Sequence, residues 1–286
     1  MPERLATSKA GLLDEATARL EHGGLDNPRR EAVELMGWVL GQSPADVLLS
    51  RHRPIDAGAA KALDSAVRRR VAGDPAAYVT GSAGFRYLTV RCDRRALIPR
   101  PETELLIDLM LRRVSTGVAA DIGTGTGCIA LSLAQEGSFD TVLAVDSSAG
   151  AVALARENAK DTGASISLIQ GDLATALGPA SIDALVANPP YLTTAEYERL
   201  DPAVRQWEPR LALESGADGF DASRSLFGQA ARTLRPGGWL GLEVDSTRAA
   251  AVARLAEDAG LVAVTIVRDL FERERFVLAQ RRADGD

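Results

Sequence analysis

Asn188-Pro189-Pro190-Tyr191 closes a short apolar run, Asp183-Ala184-Leu185-Val186-Ala187. That run reads as a buried strand. Asn188 therefore falls where a parallel strand gives way to a loop, the usual place for ligands in an open α/β sheet. Two prolines stiffen the backbone and remove two N–H donors. What is left is a rigid rim of acceptors, the Asn188 side-chain oxygen and the neighbouring carbonyls, with the Tyr191 ring beside it. Such a rim suits a flat, neutral group bearing an NH2, a carboxamide or a nucleobase amine, whose two hydrogens it accepts while the ring packs on the plane. Asn-Pro and Pro-Pro are also turn signals in their own right, so the four residues alone leave a bare turn open.

A second motif stands upstream. Residues 118–131 read as an apolar strand, a glycine-rich turn, Gly123-Thr124-Gly125-Thr126-Gly127, and an apolar helix. Glycines let the backbone take positive φ and approach a ligand closely. A dinucleotide fingerprint needs its third glycine at 128, where Cys128 stands, and no Gly-Lys-Ser/Thr follows, which excludes a Walker phosphate loop. Val142-Leu143-Ala144-Val145-Asp146 reads as a second strand tipped by an acid about 20 residues on, where a carboxylate accepts both hydroxyls of a ribose. Ser165-Ile166-Ser167-Leu168-Ile169 reads as a third strand, followed by Gly171-Asp172-Leu173. Any one of these acids taken singly reads better as a loop cap or turn residue. Strand, loop and acid recurring in register is the stronger observation.

The spacing Gly-x-Gly-x-Gly resembles the first motif of class I S-adenosylmethionine-dependent methyltransferases. Further segments narrow the resemblance to the release-factor glutamine N5-methyltransferases, the HemK/PrmC family. Residues 68–81, Arg-Arg-Arg-Val-Ala-Gly-Asp-Pro-Ala-Ala-Tyr-Val-Thr-Gly, are similar to that family's segment between domains. Leu97-Ile98-Pro99-Arg100-Pro101-Glu102-Thr103-Glu104 resembles its approach to the catalytic domain. Residues 207–213 with Gly216-Ala217-Asp218-Gly219 resemble the segment after its Asn-Pro-Pro-Tyr loop. Amino-methylating DNA enzymes share Asn-Pro-Pro-Tyr, so the Ile-Pro-Arg-Pro-x-Thr-Glu segment is the more specific mark. The chain departs from the family's common pattern at Gly84, where Glu is frequent, at Leu173, where an aromatic is frequent, and at Val244-Asp245-Ser246-Thr247-Arg248, which lacks the family's glycine and glutamine.

The resemblance implies S-adenosylmethionine as cofactor and a peptide chain release factor as protein substrate, methylated on the glutamine of a Gly-Gly-Gln motif. It implies that the turn from Gly123 to Gly127, Thr124 and Thr126 included, holds the cofactor, with Asp146 on the ribose. Asp172 and Leu173 then line the adenine, Asp121 meets the amino-acid end, and Arg100 and Thr103 lie close by. Asn188 Oδ1 and the Pro189 carbonyl each accept one hydrogen of the substrate amide, Tyr191 holds its plane, and Pro190 completes the rim. Two other acceptors stay open on the residues alone, a small amide or amine metabolite and the exocyclic amine of a nucleobase. A cofactor-binding adaptor without catalysis is a third reading, against which the intact Asn188–Tyr191 loop weighs.

Composition sets the outer bounds. The 286 residues, 46% of them apolar, suffice for one large and one small globular domain. No apolar run approaches a membrane span, and the N-terminus lacks a signal-peptide core, so the expectation is a cytoplasmic protein. The two thiols, Cys92 and Cys128, form no paired motif, and His22 and His52 stand far from the motifs in sequence, so neither a disulfide framework nor a metal site is expected. A formal charge of −6 makes a poor general binder of phosphate backbones, so stable nucleic-acid binding is not expected.

The elements that must position these residues follow from periodicity. Residues 1–74 read as a small helical bundle, with apolar residues such as Leu13, Ala16, Leu20, Leu35 and Met36 at helical spacing and Ser43 as an N-cap; with no cluster of catalytic groups it reads as a substrate-docking domain, a purely stabilising extension being an equal alternative. Residues 75–100 read as a β-hairpin linker that begins at Tyr78-Val79. Residues 101–286 alternate strand and helix, with a helix at 102–113, strands near 118–122, 142–146, 165–169, 183–187, 239–244, 262–267 and 275–280, and Pro236-Gly237-Gly238 as a turn before the fifth. The expected fold is α/β, a seven-stranded, Rossmann-like class I methyltransferase sheet whose last strand is an antiparallel edge.

Overall fold

A computed structural model of the chain describes residues 8–284. The chain divides into two compact units, one running to Gly81 and the other from Ser82.

The first unit is helical: α1 (Lys9–His22), α2 (Pro28–Leu40), α3 (Pro44–Leu49), α4 (Ala57–Val71) and α5 (Ala76–Thr80). Ser8, Ser43 and Asp56 cap α1, α3 and α4 by accepting from backbone N–H groups of the first turn. Leu13, Leu20, Leu35, Met36, Val47, Leu63 and Val67 form the core. Tyr78 and Val79, expected in a strand, lie in α5. Pro75 starts that turn, Gly81 ends it in the left-handed region, and Val79 joins the helical core. Arg69 donates to the carbonyls of Tyr78 and Val79, so the short helix's C-terminal acceptors are satisfied without a strand partner.

The second unit opens with a hairpin, β1 (Ser82–Phe85) and β2 (Leu88–Arg91). The hairpin is part of this unit rather than a linker. Phe85 packs among Leu106, Met110 and Ala130, and Arg91 exchanges backbone hydrogen bonds with the Asn158 side chain. Arg86 is clasped by Glu136 and Asp108. Gly84 faces open space, so the family's glutamate would meet no obstruction there.

A single 3-10 turn, Pro101–Thr103, leads into α6 (Glu104–Leu111). The alternating region follows as β3 (Thr116–Ile122), α7 (Cys128–Glu136), β4 (Ser138–Asp146), α8 (Ala149–Thr162), β5 (Ser167–Gln170) and β6 (Ile182–Ala187). Next come the short α9 (Thr194–Arg199) and α10 (Pro202–Trp207), then α11 (Asp221–Thr233), β7 (Leu234–Glu243), α12 (Ala249–Asp258), β8 (Leu261–Arg268) and β9 (Glu274–Arg281). The sheet order is β5-β4-β3-β6-β7-β9-β8. Side chains alternate between two cores. Leu185 and Ala187 of β6 face Leu226, Phe227 and Val252, whereas Ala184 and Val186 face Leu106, Met110 and Ile129.

Two expectations for the large sheet are also corrected. The last strand is antiparallel to both neighbours, but it is not an edge: β9 lies between β7 and β8. Phe276, Val277, Leu278 and Ala279 are all fully buried, which demands cover on both faces and both sides, whereas β8 exposes many of its residues and takes the edge. Pro236-Gly237-Gly238 lies inside β7, where the pairing with β6 slips between Leu234 and Trp239, so the expected turn is a bulge.

The topology fixes where ligands can go. From β3 the chain winds outward through β4 to β5, and from β6 it winds the other way, so the β3 and β6 loops part and leave a crevice at the carboxyl ends of the strands. Ile122 pairs with Ala187, which places the glycine turn and Asn188 at the ends of adjacent strands.

Candidate functional site

A cavity of about 700 Å3 opens at that crevice. Its walls include Arg100, Thr103, Gly123, Thr124, Gly125, Thr126, Asp146, Asp172, Leu173, Asn188 and Pro190. Asp121, Gly127, Pro189 and Tyr191 are not among its lining residues.

The glycine turn is held from below. Gly123 and Thr124 donate their N–H groups to the Val145 carbonyl at 2.8 and 3.0 Å. Gly123, Gly125 and Gly127 take φ of +73°, +54° and +85°. At Gly127 an added Cβ would also stand 3.2 Å from that of Ala155, so this residue both turns the chain and seats α7 against α8. Asp121 lies fully buried, outside the cavity walls. Its Oδ2 accepts from the Thr124 hydroxyl at 2.6 Å and the Ala130 N–H at 3.1 Å. Its Oδ1 has no partner among the described residues. Burial pushes this carboxyl up to about 7.

Asp146 is oriented by two backbone donors. Its Oδ2 accepts from Gly125 N and its Oδ1 from Ser148 N, both at 2.9 Å. Each oxygen keeps a lone pair free. Asp172 is exposed at the cavity rim, and Leu173 beside it takes φ +47°, a conformation costly for a branched side chain. The turn, Asp146 and this rim fit a nucleoside with an amino-acid tail. A diol meets a fixed carboxylate, apolar walls from Leu97, Ile98, Ile129 and Leu173 take a flat ring, and an orphaned buried carboxylate oxygen lies beneath the glycine turn.

On the far side of the crevice, Asn188 Nδ2 donates to Thr103 Oγ1 at 3.1 Å, and the Thr103 hydroxyl donates to Glu243 Oε2 at 2.5 Å. Thr103 and Glu243 are almost wholly buried. Burial pushes Glu243 up to about 7, against the hydrogen bond from Thr103. Tyr191 is partly buried, and burial together with nearby Glu243 pushes its phenol up to about 12. Arg248 stands where the family commonly has glutamine, paired with Glu196 and donating to the Tyr191 carbonyl. Arg100 is turned toward Glu208, which it contacts at 2.6 Å. The Ile98 N–H also donates to Glu208, so the two segments around 97–104 and 207–213 meet in space, and Arg94 just upstream stacks 3.7 Å over the Trp207 ring. Cys92 and Cys128 are both pushed up to about 12 by burial, so neither supplies a thiolate at neutral pH.

Sequence reasoning assigned no role to Glu243, Glu208 or Trp207. Glu243 carried one legible signal, a charged residue ending an apolar strand at the carboxyl edge of the sheet.

Sheet order, glycine turn, acid-tipped neighbouring strand and carboxamide at the next strand end together define a class I methyltransferase. Comparison with known proteins agrees and narrows the class. Residues 11–81 match the PrmC N-terminal domain and residues 101–203 the methyltransferase small domain. The chain is 41% identical to the release factor glutamine methyltransferase of Moorella thermoacetica, over 95% of this chain and 98% of that one. It is 43% identical to that of Deinococcus radiodurans, over 96% and 98%. Among solved structures, a methyltransferase from Pyrococcus furiosus superposes with a TM-score of 0.52 at 17% identity, covering 70% of this chain and 91% of that one. The chain belongs to the release factor glutamine methyltransferase family.

Proposed function

We propose that this protein methylates the side-chain amide nitrogen, N5, of the glutamine in the Gly-Gly-Gln motif of peptide chain release factors, with S-adenosylmethionine as donor. The observation that carries the reading is Asn188. It stands one strand from the glycine turn, at the mouth of the same cavity, with its Nδ2 already engaged by Thr103.

S-adenosylmethionine supplies an electrophilic methyl on a sulfonium. Gly123, Thr124, Gly125 and Thr126 form its cradle, with Gly127 fixing the turn, Asp146 accepting from the ribose, and Asp172 and Leu173 at the adenine. Asp121 acts from beneath the turn, and Arg100 and Thr103 close the opposite wall. An amide nitrogen is a poor nucleophile because its lone pair is delocalised into the carbonyl. Asn188 Oδ1 and the Pro189 carbonyl each accept one of its hydrogens, which aims the nitrogen and favours its pyramidalisation. These acceptors gain value as positive charge develops on nitrogen, so they stabilise the transition state more than the bound substrate. Holding both reactants in line supplies the other large term. Tyr191 and Pro190 keep the loop stiff around the amide. The nitrogen of the product cation is acidic and releases its proton to water, so no side-chain base is needed.

No helix among the described residues is long and apolar enough to cross a membrane. A cytoplasmic site of action, a protein rather than a nucleic-acid partner, and docking of the release factor on the N-terminal helical unit complete the proposal. The test is incubation with labelled methyl donor and a release factor bearing Gly-Gly-Gln. Label on that glutamine by mass spectrometry is expected. Label elsewhere, or none, contradicts the reading.

A further inference from the structure

Resting on that reading of Asn188, we infer that Glu243 is a positioning residue for the transfer: through the Thr103 hydroxyl it fixes which end of the Asn188 carboxamide faces the methyl acceptor. The three residues come from three separate places in the chain, the 3-10 turn before α6, the end of β6 and the end of β7. They join in one line, Glu243 Oε2 to Thr103 Oγ1 at 2.5 Å and Thr103 Oγ1 to Asn188 Nδ2 at 3.1 Å.

The polarity of this line is forced from its buried end. An ionised carboxylate only accepts, so the Thr103 proton must point toward Glu243. A threonine hydroxyl has one proton, so its remaining capacity toward Asn188 is as an acceptor. Asn188 must then present its NH2 to Thr103, and its Oδ1 is turned the other way. Thr103 is 3% exposed and Glu243 2%, so bulk water has little access to either partner. A carboxamide flipped end for end would set an N–H donor against the substrate NH2, where the reading requires an acceptor. Neutral Glu243 can both donate and accept, and the direction is then no longer enforced.

The charges facing Glu243 come from several elements. Arg275 on β9 and Arg100 before α6 favour the carboxylate, Glu102 in the 3-10 turn opposes it, and the Tyr191 phenol lies on the neighbouring loop. Burial outweighs these and holds the group near 7, so the line is fully directed only above that pH. Activity should accordingly fall as pH drops through about 7.

The experiment compares Thr103→Val, Thr103→Ser, Glu243→Gln and Asn188→Ala, all checked by thermal melting. The readouts are kcat, KM for a Gly-Gly-Gln release factor, the Kd of S-adenosylhomocysteine and the pH–rate profile. Thr103→Val should lower kcat by roughly 10- to 100-fold, the cost of a misdirected hydrogen bond, and should change the Kd less than kcat, because valine keeps the shape of the wall that Thr103 lends the cavity. Thr103→Ser, which keeps the hydroxyl, should recover most of that loss. Glu243→Gln should lower kcat and flatten the acid limb. Near-normal turnover in Thr103→Val, an equal loss in Thr103→Ser, or an unchanged acid limb in Glu243→Gln would each overturn the inference. Asn188→Ala separates the two levels. If it is active, the reading of Asn188 itself falls; if it is inactive while Thr103→Val is normal, only the relay falls.

Discussion

Replacing Asp146 by alanine tests the cofactor half of the site with a magnitude that can be worked through. The carboxylate makes two kinds of contact. Toward the protein, Oδ2 and Oδ1 accept from Gly125 N and Ser148 N at 2.9 Å. Toward the cavity, each oxygen keeps one lone pair for a ribose hydroxyl. A hydrogen bond to a charged group contributes about 1.5–3 kcal/mol, so two of them contribute about 3–6 kcal/mol. The side chain is partly open to water, which favours the lower figure, and about 3 kcal/mol is a loss of roughly 100-fold in affinity. The two backbone N–H groups can turn to water, so the unliganded fold should lose only about 1–2 kcal/mol, a fall of roughly 2–8 °C in Tm. Calorimetric titration with S-adenosylhomocysteine reads the first number and a melting curve the second. Asp172→Ala is the contrast, because that residue is exposed and a single exposed bond of about 1 kcal/mol predicts a change of roughly 5-fold. An Asp146→Ala protein that stays folded and binds S-adenosylhomocysteine as tightly as wild type would refute the assignment.

Asn188→Ala should keep the Kd of S-adenosylhomocysteine within several-fold and lose roughly 100- to 1000-fold in kcat, by analogy with deletion of an oxyanion-hole donor; near-normal turnover would contradict the proposed chemistry. Asp121→Asn probes the buried carboxyl. Its folded value, about 7, lies above the unfolded one, so the stability associated with the neutral form is present at low pH and is lost as pH rises through about 7. In the unliganded protein the variant should therefore gain in Tm relative to wild type between pH 5 and pH 8, and a Tm difference that does not change with pH would remove the argument.

Much of this site was legible because its signals are local. The run from Asp183 to Ala187 is short, apolar and bounded by Asn-Pro, which permits little besides a buried strand end. The glycine turn between an apolar strand and an apolar helix is equally self-contained. What stayed hidden depends on partners far along the chain. Glu243 ends a strand whose neighbours, Leu240, Gly241 and Leu242, announce only burial, and its link to Thr103 spans 140 residues. The inward position of β9 had a signal in the unbroken run Phe276-Val277-Leu278-Ala279, since four consecutive buried residues do not suit an edge. Tyr78 and Val79 misled because two strand-favouring residues weigh less than Pro75, Gly81 and the acceptors that Arg69 satisfies. The pattern at 82–91 is legible as a hairpin, but only the packing of Phe85 and the clasp around Arg86 show that it belongs to the catalytic unit.

The central claim is geometric and can be examined directly. A crystal structure with S-adenosylhomocysteine and a Gly-Gly-Gln peptide should place the glutamine nitrogen about 2.7–3.2 Å from both Asn188 Oδ1 and the Pro189 carbonyl, with the sulfur facing that nitrogen from the glycine turn. A glutamine bound elsewhere, or an Asn188 presenting its Nδ2 to the substrate, would contradict the account.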